Sequence, residues 1–534
     1  MSSEQRDLQS ILEQVSHDLK TAGVQYMFGI AGDPITPLIT FSEERGIKYF
    51  GFRNEQSASY AASAVSFLTR RKSTGVCLTV AGPGMTNALT GLAHANVNRW
   101  PVVLVCPFTS SHSDFQGIEQ IEAARGLAKD AIIYSGTASV LRAFNLANTP
   151  PFGSVVLLIP RTPTHARISH SFTRPIGTRS EPSVPNPRAP CKAILIIGSI
   201  SPLYPELDER LLRFVEERRI PFLAEPLSRG ILEESHELCV TAARSFAFKN
   251  ADLAILVGGR LDWMLSYGKS PKWNPECTFV IYTDVNEEIP VGLESRTTIR
   301  SLSDFPFDGN VTIDAQWREQ VLKASKSNKQ ALNERLRWSP NSRQEPSHFE
   351  AVGAIREAIH KSGLEEALVI SEGANTMDVA RVALDVITGP SMRLDAGRWG
   401  TMGGGLGYAI AASACRPEEP IICIEGDSAL GFSGMELETI VRYKCKAVIF
   451  VFNNGGIYTG TASNATSFTP GVRHDVLMAA VGGIGLTTKG GNAQVVYETA
   501  MNAFYRVSNG EFPVLVDINI HPDSGNLSGS LSRL

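Results

Sequence analysis

Few features of this chain are extreme, and the missing ones narrow its class. No apolar run approaches the roughly 18 residues needed to span a bilayer, so no membrane crossing is expected. Charge is nearly balanced, with 50 Lys and Arg against 54 Asp and Glu for a net −4, which argues against nucleic acid as the main partner. Cysteine is sparse: eight residues, at 77, 106, 191, 239, 277, 415, 423 and 445, show no metal-ligand spacing. Several lie in apolar runs and read as reduced core thiols of an intracellular protein. The stretch Met1 to Asp7 lacks both the apolar segment of a secretory signal and the acid-poor character of a transit peptide, so secretion is not expected. No strand–helix junction carries Gly-x-Gly-x-x-Gly followed by an acidic ribose ligand, which removes the simplest dinucleotide-dependent oxidoreductase reading. Gly82-Pro83-Gly84 reads instead as a turn after a strand. There is no short tandem repeat and no low-complexity tract.

What is present is an ordinary globular composition, 43% hydrophobic and 19% charged, on 534 residues, enough for about three domains. Apolar runs alternate with helix-like segments, the pattern of βα units on a mainly parallel sheet. Expected strands are 24–29, a strand-like 48–53, 76–80, 102–106 and 155–159 in a first block. A second block holds 193–198, 253–258 and 279–284, and a third 367–371, 421–425, 447–452 and 514–520. The expected fold is therefore α/β with three domains, each a mainly parallel sheet flanked by helices, over residues 1–176, 190–330 and 350–534. Five prolines from Pro175 through Pro190, both included, mark a linker, and a charged helix-like stretch from about Gln316 to Glu350 separates the second and third blocks. The first and last blocks read as related architectures.

Two strand ends in the last block carry the sharpest chemical signal. The run Pro420–Glu425 stops at Gly426-Asp427-Ser428, and the run Ala447–Phe452 stops at Asn453-Asn454-Gly455-Gly456, with Asn454 27 positions after Asp427. A hard cation bridging phosphates wants oxygen ligands and takes only one or two protein carboxylates. Asp427 offers the charge, Asn454 an amide oxygen and Gly456 a backbone carbonyl. Separately, these would be a helix cap and an Asn-Gly turn; together they read as a grip on Mg²⁺ and a diphosphate.

That pair resembles the diphosphate signature of thiamine diphosphate enzymes. The resemblance implies a distant carboxylate that hydrogen-bonds the cofactor's aminopyrimidine and relays a proton there; Arg53-Asn54-Glu55-Gln56-Ser57-Ala58 is similar to the segment that bears it, with Glu55 the candidate. Gly400-Thr401-Met402-Gly403-Gly404-Gly405-Leu406-Gly407 resembles the segment whose large apolar residue, here Met402, bends the cofactor. Ser371-Glu372-Gly373-Ala374-Asn375-Thr376-Met377-Asp378 ends a strand and is expected to line the same cleft. The resemblance thus implies cofactor contacts at Glu55, Asn375, Thr401, Met402, Asp427, Ser428, Ala429, Asn454 and Ile457, with metal ligands Asp427, Asn454 and Gly456. It also implies a homodimer or homotetramer, with active sites at a dimer interface.

Further segments resemble 2-hydroxyacyl-CoA lyases and their relatives, the oxalyl-CoA decarboxylases. They are Phe115 to Arg125, Ala242-Ala243-Arg244-Ser245, Gly259-Arg260-Leu261-Asp262-Trp263, Ser371 to Asp378, and Glu425-Gly426-Asp427-Ser428-Ala429 through Gly434-Met435-Glu436. This resemblance covers nearly the whole chain and implies an acyl-CoA substrate and a formyl-CoA product. Phe115-Gln116 is similar to the lyase form, which favours cleavage of a 2-hydroxyacyl-CoA, with Gln116 facing the substrate; oxalyl-CoA decarboxylation is the alternative. Gly117 and Arg398 depart from the family pattern, and Pro522 to Leu527 is closer to the decarboxylase tail. Arg244, Ser245, Arg260 and Arg398 are the candidate contacts for CoA phosphates or a substrate carboxylate. Ser532-Arg533-Leu534 resembles a peroxisomal address, so an import receptor is an expected partner and the peroxisome the expected location, with the cytoplasm as alternative.

Overall fold

The computed structural model describes residues 3–109, 112–160, 190–285, 288–306, 311–385, 389–461 and 465–525. The first of its three sheets contains β1 (Tyr26–Gly29), β2 (Lys48–Gly51), β3 (Gly75–Leu78), β4 (Val102–Pro107), β5 (Ala131–Ile133) and β6 (Ser154–Ile159), in the order β2-β1-β3-β4-β6-β5. The second contains β7 (Ala193–Ile197), β8 (Phe222–Ala224), β9 (Leu253–Val257), β10 (Thr278–Tyr282) and β11 (Thr297–Arg300), in the order β11-β10-β9-β7-β8. The third contains β12 (Leu368–Ser371), β13 (Arg393–Leu394), β14 (Ile421–Gly426), β15 (Ala447–Asn453), β16 (Ile484–Thr487) and β17 (Val514–Asn519), in the order β13-β12-β14-β15-β17-β16. The strands run parallel, in registers such as Leu104 opposite Val156, Leu195 opposite Ile255 and Phe450 opposite Val516. Helices cover both faces of a parallel sheet, so its central strands are buried throughout and read as continuous Val, Ile and Leu runs.

The first and third sheets are wound identically: in each, the first strand pairs with the second on one side and the third on the other. That leaves a switch point between β1 and β3 and another between β12 and β14, and open parallel sheets bind ligands at the carboxyl ends of strands beside such a point. Glu55 follows β2, Gly82 follows β3, Asp427 follows β14 and Asn454 follows β15.

Two compact units result. One comprises Met1–Pro175 with Ala396–Ile421 and Leu430–Lys446. Its sheet buries Leu12, Leu38, Val76, Val103 and Leu157 on one face. The helix Glu55–Leu68 is buried from Ser57 onward and packs against the helices Pro83–Asn98 and Gly405–Cys415. The other unit comprises Ile176–Asp395 with Ile422–Ala429 and Ala447–Leu534. It contains the second and third sheets and a core that includes Phe349, Val352, Ala380, Phe450, Phe504 and Val516.

Some expectations change in detail. The helix-like stretch from Gln316 to Glu350 is a helix over Ala315–Leu336, a break containing Pro340 and Pro346, and a new helix from His348. Ser347 and Glu350 cap that new helix reciprocally. The strands β5, β8, β11, β13 and β16 were not among those expected. All eight cysteines are free, seven of them buried and Cys415 partly so. Among the described residues no helix is long and apolar enough to cross a membrane. All of the 175–190 linker except Pro190, and the terminal Ser532-Arg533-Leu534, lie outside the described residues.

Candidate active site

In the first unit, Glu55 opens its helix behind an Asn54 cap whose side chain accepts from the Gln56 N–H at 2.7 Å. The Glu55 carboxylate is half-buried and accepts from Asn87 Nδ2 at 3.1 Å. Gly84, in the first turn of the neighbouring helix, brings backbone up to it: a Cβ there would sit 3.4 Å from Glu55 Oε1. Gly82 has φ +51°, and a Cβ on it would meet the Gln116 carbonyl oxygen at 2.5 Å. The loop bearing Gln116, itself at φ 60°, therefore folds back onto the start of the Pro83–Asn98 helix. Gln120 fastens that loop, accepting from the Thr109 N–H at 2.7 Å and donating to the Pro107 carbonyl at 2.8 Å. Glu55 and Gln116, 61 positions apart by number (116 − 55), thus flank one glycine turn, while Phe115 stands 73% exposed beside them.

The segment leading to Met402 is clamped in the same unit. Thr401 is buried with its hydroxyl on Tyr60 Oη, and Met402 is half-buried. Asn98 Oδ1 accepts from the Arg398 N–H at 2.8 Å, and Gly397 (φ +56°) lies so close to that amide that a Cβ would come within 2.4 Å of it. Asn98 Nδ2 reaches the His94 ring, and His94 Nε2 meets Tyr408 Oη at 2.7 Å. Arg398, a candidate substrate contact, is buried.

In the second unit, Asp427 opens a short helix at the end of β14 and is buried. Its Oδ1 accepts from the Ser428 N–H at 2.7 Å and its Oδ2 from the Gly455 N–H at 2.9 Å, so the two predicted halves of the grip do meet. Asn454 is buried beside it, with Oδ1 accepting from the Gly456 N–H at 3.2 Å and Nδ2 donating to the Tyr458 carbonyl at 3.0 Å. Ile457 is 38% exposed, Ala429 is buried and Ser428 half-buried. Gly373 (φ +93°) lies against Gly426, a Cβ on it reaching within 3.2 Å of the Gly426 nitrogen, so Asn375, in the first turn of the next helix, belongs to the same strand-end cluster.

Burial pushes the Asp427 carboxyl up to about 6, against the lowering effect of N–H bonds from Ser428, Gly455 and Gly456 and of nearby His474. A buried carboxylate beside an asparagine side-chain amide offers oxygen donors of the kind a hard divalent cation takes, and the charge of such a cation would restore the ionised form. Behind the cluster, Asn453 Nδ2 donates to Asp517 Oδ1 at 3.1 Å, and the His474 N–H to Asp517 Oδ2 at 3.1 Å. His348 is buried against the Phe452 ring, with Nδ1 3.0 Å from Ser524 Oγ, and burial lowers its pKa to about 4. Burial, and then the neighbouring Glu372, raise the Glu425 carboxyl well above the usual range. None of these supports was read from the sequence. The polar pair His94 and Asn98, four apart on one helix and both buried, was an available signal.

Arg244, Ser245 and Arg260 gather around one turn in the second unit. Arg244 donates to the Met264 carbonyl and its guanidinium lies 5.1 Å from the Phe248 ring, Ser245 is half-buried next to it, and Arg260 Nε pairs with Asp262 Oδ2 at 3.1 Å. Trp263 and Tyr267 on that turn are each about half exposed, at 50% and 51%.

Comparison with known proteins agrees with this geometry. Residues 10–124 match the thiamine pyrophosphate enzyme N-terminal TPP binding domain, 191–290 the central domain and 372–518 the C-terminal TPP binding domain. The chain is 33% identical to a 2-hydroxyacyl-CoA lyase of Oryza sativa, covering 96% of each chain. It is 33% identical to an oxalyl-CoA decarboxylase of Escherichia coli, covering 100% of this chain and 98% of the other. It is 32% identical to the 2-hydroxyacyl-CoA lyase 1 of Homo sapiens, covering 96% and 94%. With three domain matches in order and full-length relatives of two kinds, the chain belongs to the thiamine pyrophosphate (thiamine diphosphate) enzymes, in the group formed by 2-hydroxyacyl-CoA lyases and oxalyl-CoA decarboxylases.

Proposed function

We propose that the protein is a carbon–carbon lyase that cleaves a 2-hydroxyacyl-CoA to formyl-CoA and an aldehyde one carbon shorter. The observation that supports this reading is the approach of the Glu55 carboxylate and the Gln116 backbone to the same turn, the one at Gly84 and the other at Gly82. In the balanced reaction the bond between the thioester carbon and the hydroxyl-bearing carbon breaks, the 2-hydroxyl proton is given up, and a proton is taken by the thioester carbon. Bound thiamine diphosphate supplies the electron sink for that cleavage. Glu55 holds a proton at the aminopyrimidine ring, and Gln116 hydrogen-bonds the substrate hydroxyl as it loses its proton.

In this reading Asp427, Asn454 and the Gly456 carbonyl hold Mg²⁺. Asn375, Thr401, Met402, Ser428, Ala429 and Ile457 line the cofactor, with Met402 bending it. Arg244, Ser245 and Arg260 meet CoA phosphates on the turn that exposes Trp263, and Arg398 serves the substrate from a buried position. Residues 1–176 form the pyrimidine-binding domain, 190–330 the central domain and 350–534 the diphosphate-binding domain. The working form is a homodimer or homotetramer in which Glu55 of one copy and Asp427 of another complete each site. The proposed location is the peroxisome; imaging the chain with and without residues 532–534 distinguishes it from the cytoplasm.

Oxalyl-CoA decarboxylase is the second reading, favoured by the Escherichia coli relative, as similar as the lyases over the whole chain. The test is product analysis of the purified protein with thiamine diphosphate and Mg²⁺, offered a long-chain 2-hydroxyacyl-CoA and oxalyl-CoA in parallel. Formyl-CoA with a shortened aldehyde supports the lyase. Carbon dioxide and formyl-CoA from oxalyl-CoA alone replaces it with the decarboxylase.

A further inference from the structure

Glu436 has no role in the reading above, yet it is among the most buried charged side chains of the first unit, at 1% exposure. It opens the helix Glu436–Arg442, and its carboxylate points at backbone. Oε1 accepts from the Asn54 N–H at 3.0 Å and the Arg53 N–H at 3.2 Å, while Oε2 accepts from the Thr439 hydroxyl at 2.6 Å. The other end of the same helix holds the residue Gly51, a little before. Tyr443 Oη accepts from the Gly51 N–H at 2.7 Å, and Arg442 Nη2 donates to the Gly51 carbonyl at 2.8 Å. Phe52 N–H goes to the Gly29 carbonyl at 2.7 Å. Every backbone N–H from Gly51 to Asn54 is therefore engaged, and the next residue is Glu55.

We propose that Glu436 is a positioning residue for Glu55, fixing the strand-to-helix turn so that the Glu55 carboxylate stands at one depth and direction. This rests on the reading of Glu55 as the proton relay. Burial pushes the Glu436 carboxyl up to about 7, opposed by its bonds from Thr439, Arg53 and Asn54. A buried carboxylate under that opposition is a costly way to cap two N–H groups for stability alone. It is a rigid way to aim a turn, because one planar group takes two successive N–H donors. A shift of about 1 Å in a reacting group lowers turnover by on the order of 100-fold, so small losses of aim are measurable.

The test compares Glu436→Ala, Glu436→Gln and Glu436→Asp in the full-length protein with Glu55→Gln as reference. Gln keeps an acceptor at the same reach, whereas Asp keeps the charge but withdraws the acceptor by a methylene. Expected is a fall in kcat of about tenfold or more for Ala and Asp, KM for acyl-CoA within about twofold of wild type, and recovery of most of kcat in Gln. In the cofactor-free protein, amide hydrogen exchange in peptides covering residues 51–57 should quicken for Ala and Asp, and stay near wild type for Gln, with other peptides unchanged. Wild-type kcat in Ala or Asp beside an inactive Glu55→Gln overturns the proposal, as does unchanged exchange over 51–57. Should Glu55→Gln itself retain turnover, the relay reading fails, and the exchange measurement still decides whether Glu436 fixes the turn.

Discussion

Asp427, the proposed metal ligand, shows what such a position would cost a protein before its ligand arrives. Its carboxyl is raised from 3.8 to about 6 by burial, so the ionised form is disfavoured in the folded state. The sign follows from linkage: a raised folded-state pKa contributes stability below the unfolded value, and that contribution is lost as pH rises through about 6. The shift corresponds to about 3 kcal/mol at most. Asp427→Asn should therefore raise the thermal midpoint of the cofactor-free protein at pH 8, and the advantage should shrink to nothing near pH 4; an equal midpoint at pH 8 counts against the strained carboxylate. The same position should show the opposite dependence once cofactor is offered. Calorimetry of Asp427→Ala with thiamine diphosphate and Mg²⁺ should find binding at least about 100-fold weaker, whereas wild-type affinity would remove Asp427 from the grip. The strand ends at Asp427 and Asn454 were legible because each closes an apolar strand with turn chemistry. Glu436 was not: its partners lie 382 and 383 positions away, and nothing local distinguishes it from a solvated helix-start glutamate.

At the scale of elements, the buried central strands were legible and the edges were not. Val102–Pro107 and Val514–Asn519 announce themselves as long apolar runs, whereas β5 and β8 have three residues, β13 has two, and β16 is only half-buried. An edge strand need satisfy only one neighbour, so its pattern is weak. Pairing order was likewise invisible, since the identical winding of the first and third sheets depends on long-range ladders. The loop from Gly397 to Gly404 depends on such ladders less than on side chains reaching into it from two helices, Asn98 from one and Tyr60 from the other. Gly397→Ala tests that clamp. The substitution forces a Cβ into the left-handed region and against the Asn98 amide, which should destabilise by about 2 kcal/mol. If the loop presents Thr401 and Met402 to the cofactor, thiamine diphosphate affinity should fall with stability; unchanged affinity in a destabilised protein would confine the clamp to folding.

For the whole molecule the decisive question is how Glu55, in one compact unit, and Asp427, in the other, would serve the one reaction proposed for them. Both units expose large apolar side chains, among them Phe115, Phe432 and Met435 in the first and Tyr458 and Val476 in the second, at 52% or more. Exposed apolar side chains of that size suit an interface between copies. The proposed two-fold assembly makes a quantitative prediction. Glu55→Gln and Asp427→Ala are each expected to be inactive alone. In a two-fold dimer of one copy of each, one site receives both defects and the other receives neither. Unfolding and refolding the two variants together, or expressing them together, gives half mixed dimers with one intact site in two, so activity should return to about one quarter of wild type. Sites completed within a single chain would leave every site of the mixture defective, and no activity would return. A return well above background therefore assigns the two residues to different copies, and its absence in a mixture shown by mass spectrometry to contain mixed dimers would assign them to the same one.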